Sequence, residues 1–164
     1  MTIRMIVLAI LASFLLVGCG KIEGNNIDLK TERSMNEGFP PTITGFVEAN
    51  GTQYEMEQGG FKWETKEQTV MTDAASPNQI AERYEAILLA PKTELTFQID
   101  GEPYVLVYLW ESDERGKEVA LSNNQFILPE KKGRYVYELV ANWSSYGSEK
   151  ARGEVSYTFV VEVE

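Results

Sequence analysis

The chain has no histidine and a single cysteine, Cys19, among 164 residues, and those two facts remove most side-chain chemistry at once. Without imidazole there is no Ser-His-Asp or Cys-His nucleophile, and the commonest zinc ligand is missing. One thiol cannot build a thiolate metal site or an iron–sulfur cluster, nor close an internal disulfide. The residues thus point to no cofactor and no metal. Carboxylates, aromatic rings and the thiol itself remain. The paired carboxylates of a glycoside hydrolase sit roughly 5–10 Å apart across a cleft, and 25 Asp and Glu residues offer such pairs by chance. The acidic run Glu111-Ser112-Asp113-Glu114 has oxygen ligands for calcium. It lacks the alternating spacing and the glycine of an EF-hand loop, so it reads as a solvated hairpin tip.

Trp143-Ser144-Ser145-Tyr146-Gly147 is the candidate ligand-binding loop, with Trp143 and Tyr146 as its contact residues. Two large rings beside small polar residues suit stacking on sugars or peptides. The bland reading of the same residues is that Trp143 continues a strand and caps the core with Tyr146 beside it. Asn50-Gly51-Thr52 and Asn142-Trp143-Ser144 match the glycosylation sequon, but Asn50 already has a role in a turn.

The N-terminus says where the protein works. Arg4 precedes an uncharged run of 14 residues, Met5 to Gly18, interrupted only by Ser13 and ending at Gly18-Cys19. That is the anatomy of a secretory signal peptide, and it is short for a membrane-spanning helix of about 20 residues. Leu16-Val17-Gly18-Cys19 resembles the lipobox of bacterial lipoproteins. The resemblance implies acylation of the Cys19 thiol, cleavage before it, and attachment by lipid to the extracytoplasmic face of the cell membrane. It would also account for a lone thiol in an oxidising compartment.

The first 18 residues hold one cation and no carboxylate. The other 146 therefore carry 14 Lys and Arg against 25 Asp and Glu, a formal charge of −11. Such a domain is repelled by phosphate backbones, so nucleic acid is not an expected partner, and by anionic headgroups, leaving the lipid as the membrane contact. Residues 19–38 are rich in Gly, Asn, Lys and Glu with few apolar side chains. They read as a flexible tether with a mean reach of about 25 Å. Phe39-Pro40-Pro41 opens a single domain over residues 39–164.

Strand signals fill that domain. Val47 and Ala49 alternate before Asn50-Gly51, and Thr52 and Tyr54 after it. A type I′ turn there would set Ala49 against Thr52 and Val47 against Tyr54. Gln58-Gly59-Gly60 breaks the pattern before a further strand pair over 61–72. Ser76-Pro77 reads as an N-cap followed by proline, with Ile80, Tyr84 and Ile87 at helical spacing. Leu95, Phe97 and Ile99 alternate. Tyr104 to Trp110 is apolar on both faces and reads as a doubly covered central strand, and Glu111 to Lys117 as a charged turn. Tyr135 to Trp143 and Val155 to Val163 alternate to the end. About eight short strands at this spacing predict an all-β fold, an immunoglobulin-like two-sheet sandwich with one short helix; a small barrel is the alternative. Tyr135, Tyr137, Trp110, Phe97 and Phe159 are the core candidates.

Phe126-x-x-Pro129, Gly133-x-Tyr135-x-Tyr137, Trp143 and Tyr157-x-Phe159-x-Val161 resemble the closing strands of small lipoproteins and secreted proteins of Gram-positive bacteria. That resemblance implies the fold and brings no catalytic residue with it. The expectation is a non-enzymatic binding or interaction module of the cell envelope, whose partner is an envelope protein or cell-wall glycan. The alternatives are a protease inhibitor and a carboxylate-dependent glycan hydrolase.

Overall fold

The computed structural model describes residues 39–112 and 114–164. The signal segment 1–18, Cys19, the tether 19–38 and Asp113 of the acidic turn lie outside the described residues. Among the described residues, eleven strands and one helix follow one another. They are β1 (Gly45–Ala49), β2 (Thr52–Glu55), β3 (Glu57–Glu64), β4 (Thr69–Thr72), α1 (Pro77–Ala81), β5 (Ile87–Leu89), β6 (Glu94–Ile99), β7 (Tyr104–Glu111), β8 (Glu114–Glu118), β9 (Gln125–Ile127), β10 (Gly133–Tyr146) and β11 (Ala151–Val163).

They make a two-sheet sandwich. The smaller sheet runs β2-β1-β6-β9, and the larger β4-β3-β11-β10-β7-β8, with β5 lying parallel to the end of β11. Every other pairing is antiparallel. From β6 onward the chain places its strands as the B-E and G-F-C-C′ strands of a variable-type immunoglobulin domain. A tyrosine corner accompanies this order: Tyr135, near the start of β10, donates its hydroxyl to the Lys131 carbonyl at 2.6 Å. Two residues on, where an antibody domain carries a disulfide cysteine, Tyr137 stacks on Phe159 at 5.2 Å and meets Phe126 at 5.1 Å. An aromatic layer holds the sheets together in place of a covalent bond.

Local chemistry explains the elements. Asn50 and Gly51 take φ of 52° and 78°, and the hairpin pairs Ala49 with Thr52 and Val47 with Tyr54, in the register expected of that turn. Ser76 caps α1 through a capping box with Gln79, and Pro77 occupies its first turn. The helix stops at Ala81. Ile87, predicted on the same face, begins β5 instead, because that segment gains more from pairing with β11 than from a further turn of exposed helix.

Three other expectations change. Gly59 and Gly60 do not break a strand; they form a bulge inside β3, with Val155 paired to Phe61 and Tyr157 to Gln58. The charged stretch after Glu111 is mostly strand β8, an edge whose Glu, Arg and Lys side chains suit a solvent-facing border. Nor is β7 doubly covered. Val105 and Val107 point into the core, while Tyr104, Leu106, Tyr108 and Trp110 lie on the outer face and are half-buried or exposed. Trp110 therefore leaves the predicted core, and Tyr135 is half-buried. Phe97, Tyr137 and Phe159 are core residues as expected.

Candidate functional site

Antiparallel registers bring together residues that sequence distance keeps apart. Lys62 on β3 pairs with Glu154 on β11, Glu154 with Asn142 on β10, and Asn142 with Tyr104 on β7. Cross-strand partners share a face, so these four form one row across the outer face of the larger sheet. Arg152 and Glu64 pair one step further along. The row floors an open groove of about 570 Å³, which Gly101, Glu102, Ser144 and Ser145 also border. A bulge after Trp143 sets Ser144 and Ser145 opposite Arg152 and widens that end.

Tyr104 is 69% exposed, although nothing in the turn leading to it forces the ring outward except strand alternation. Lys62 lies 4.0 Å from Glu64, with both side chains about half exposed. Glu154, Glu64 and Glu102 are likewise exposed. Among the described residues, the side chains of Asn142, Arg152 and Glu154 form no hydrogen bond within the chain, so their donors and acceptors face the groove.

Trp143 and Tyr146 lie on strand β10 and not on a loop. Trp143 borders the groove, but its ring turns inward and is 4% exposed. It packs against Trp63 at 5.1 Å and Tyr146 at 6.1 Å, and its indole N–H donates to the Asp100 carbonyl at 3.0 Å. Two glycines make room for this cluster. A Cβ at Gly153 would stand 2.1 Å from the Trp63 ring, and one at Gly101 2.6 Å from Tyr146. The three aromatics close the end of the sandwich beneath the groove, and Tyr146 is half-buried there. The exposed ring of the site is Tyr104, which the two-faced apolar pattern of β7 concealed.

Further along the same outer face Glu138 is 4% exposed. Its carboxylate accepts from Trp110 Nε1 at 2.8 Å and from Arg115 Nε and Nη2, each at 2.9 Å, while the guanidinium lies 4.6 Å from the Tyr108 ring centre. This fork seals the face between β7, β8 and β10. A smaller crevice of about 200 Å³ lies beside α1, between Tyr54, Glu57, Tyr84 and Phe159. There the hydrogen bond to Glu57 raises the Tyr84 phenol above its ordinary pKa. Glu111 and Glu114 face each other across the β7–β8 turn, and among the described residues no three acidic side chains gather as a metal site. Comparison with known protein families, curated proteins and solved structures found no match for this chain.

Proposed function

We propose that the chain is a lipoprotein held by acylated Cys19 on the extracytoplasmic face of the cell membrane, and that its sandwich is a non-enzymatic binding module of the envelope. The observation that carries the binding role is the row Lys62–Glu154–Asn142–Tyr104, in which an exposed ring and the unengaged side chains of Asn142 and Glu154 are aligned on a rigid sheet beside the Lys62–Glu64 pair. Binding sites work best when a scaffold fixes such groups before the ligand arrives. The carboxylates bordering the groove are exposed, whereas a general acid is made by burying a carboxyl until it holds its proton. Among the described residues the buried acid is Glu138, which is already engaged by Arg115 and Trp110. This supports binding over hydrolysis. The apolar run ending in Leu16-Val17-Gly18-Cys19 supports the anchor.

One experiment in intact cells addresses both halves. A photoreactive residue at position 104 is expected to form a defined adduct with an envelope component, and Cys19→Ser to release the protein from the membrane fraction. Absence of any adduct counts against the groove as the binding site. Unchanged membrane association of the serine variant counts against the lipid anchor.

A further inference from the structure

We infer that the groove takes an uncharged oligosaccharide, laid across the strands with one pyranose ring stacked on Tyr104. The inference rests on the binding-module reading above and names its ligand.

Three observations select this class. First, the row crosses β7, β10, β11 and β3, three strand spacings or about 14 Å, with the exposed ring at one end. Between Tyr104 and the Lys62–Glu64 pair, Asn142 offers both donor and acceptor, Glu154 accepts and Arg152 donates. Alternating donors and acceptors fit sugar hydroxyls, each of which donates and accepts. The apolar face of the ring beside them needs a flat aromatic, which Tyr104 supplies.

Second, the backbone beneath most of the row is closed to peptide addition. β3, β10 and β11 are hydrogen-bonded on both sides, whereas β7 pairs with β10 at Tyr104 and with β8 only from Tyr108 onward. An extended peptide adds to a sheet through a free edge, and Asn142, Glu154 and Lys62 stand on interior strands. Recognition at those three positions comes from side chains alone.

Third, charge excludes a polyanion. Glu64, Glu102 and Glu154 stand at the groove against Lys62 and Arg152, and the whole chain carries −10. A phosphate-rich polymer would meet repulsion on approach and at the site.

Chitotetraose and cellotetraose are the probes, titrated calorimetrically into the full chain purified in detergent micelles. At least one is expected to bind at millimolar concentration or below. Tyr104→Ala is expected to weaken that binding about tenfold, the value of one aromatic stack, while Tyr104→Phe stays within about twofold of the parent. Position 104 is exposed, so both variants should melt with the parent protein, and the comparison is free of folding effects. Failure of both sugars to bind overturns the glycan, as does binding that Tyr104→Ala leaves intact. The adduct formed in cells from position 104 separates the two levels of the argument. A protein adduct without sugar binding removes the glycan and leaves the binding module; neither adduct nor sugar binding removes both.

Discussion

Glu138 shows how one side chain can settle the character of a surface. Its position alternates correctly for the outer face of β10, and an unpaired carboxylate there would face a partly dehydrated environment. Arg115 and Trp110 supply three donors to its two oxygens, the forked geometry that makes arginine suited to carboxylates. Removing the guanidinium leaves the charge nearly buried. Arg115→Met is expected to lower stability by about 2–3 kcal/mol, read from chemical denaturation. Arg115→Met combined with Glu138→Leu should return to within about 1 kcal/mol of the parent, because a buried pair replaced by apolar groups is often neutral. If the single and double variants lose equal stability, the fork is not what holds this face together. None of this was legible in the sequence. Arg115 belongs to a charged stretch that reads as a turn, and Trp110 to an apolar run that reads as core. Only the pairing of β7 with both β8 and β10 brings the three residues together.

At the scale of elements, β2 and β3 form an extended stretch broken only at Met56, where the chain leaves the smaller sheet for the larger. The Met56 N–H still bonds the Gly45 carbonyl of β1 at 2.9 Å, and a few residues later the Gly59-Gly60 bulge aligns β3 with β11. Ser156 fits into that bulge: its hydroxyl donates to the Gly60 carbonyl at 3.2 Å, and a Cβ on Gly59 would lie 2.4 Å from the same oxygen. Gly59→Ala is therefore expected to cost about 1–2 kcal/mol. Ser156→Ala should recover part of that loss, so that a double-mutant cycle shows coupling between the two sites. Additive losses would mean that the glycine serves backbone freedom alone. A pair of glycines between alternating runs reads equally as a turn or a bulge, and the partner strand decides. The hairpin at Asn50-Gly51 was legible to the residue because the turn alone fixes its register. The groove was not, because its row draws on β3, β7, β10 and β11, and strand order is a property of the whole sandwich.

For the whole molecule, the absence of a disulfide leaves the join between the sheets to buried side chains and to long-range hydrogen bonds, that of Trp143 and a second from Tyr157. Tyr157 donates its buried hydroxyl to the Ile43 carbonyl at 2.7 Å, tying β11 to the segment leading into β1. Burial drives the phenols of Tyr137 and Tyr157 far above their ordinary pKa of 10.0. Below pH 10 both are protonated whether the chain is folded or not, and their contribution is complete. Above it the unfolded chain releases protons that the folded chain retains, so stability falls as pH rises, by about 1.4 kcal/mol per pH unit for each tyrosine. Denaturation midpoints measured between pH 9 and 11 should show this decline, and Tyr157→Phe should make its slope shallower, leaving the share of Tyr137 and Tyr84. A variant slope equal to the parent's would place the alkaline loss in other groups.

The three tryptophans stand in three different hydrogen-bonding states. Trp110 donates to a carboxylate, Trp143 to a backbone carbonyl, and Trp63 is buried with no acceptor for its N–H. Trp63 and Trp143 lie close enough, 5.1 Å between ring centres, for their electronic transitions to couple, whereas Trp110 belongs to the Glu138 fork on the outer face. The protein thus carries its own optical probes: a circular-dichroism couplet that follows the sandwich end beneath the groove, and a separate indole emission that follows the opposite region of the same sheet. Loosening of either part can be watched by light alone, with no label attached.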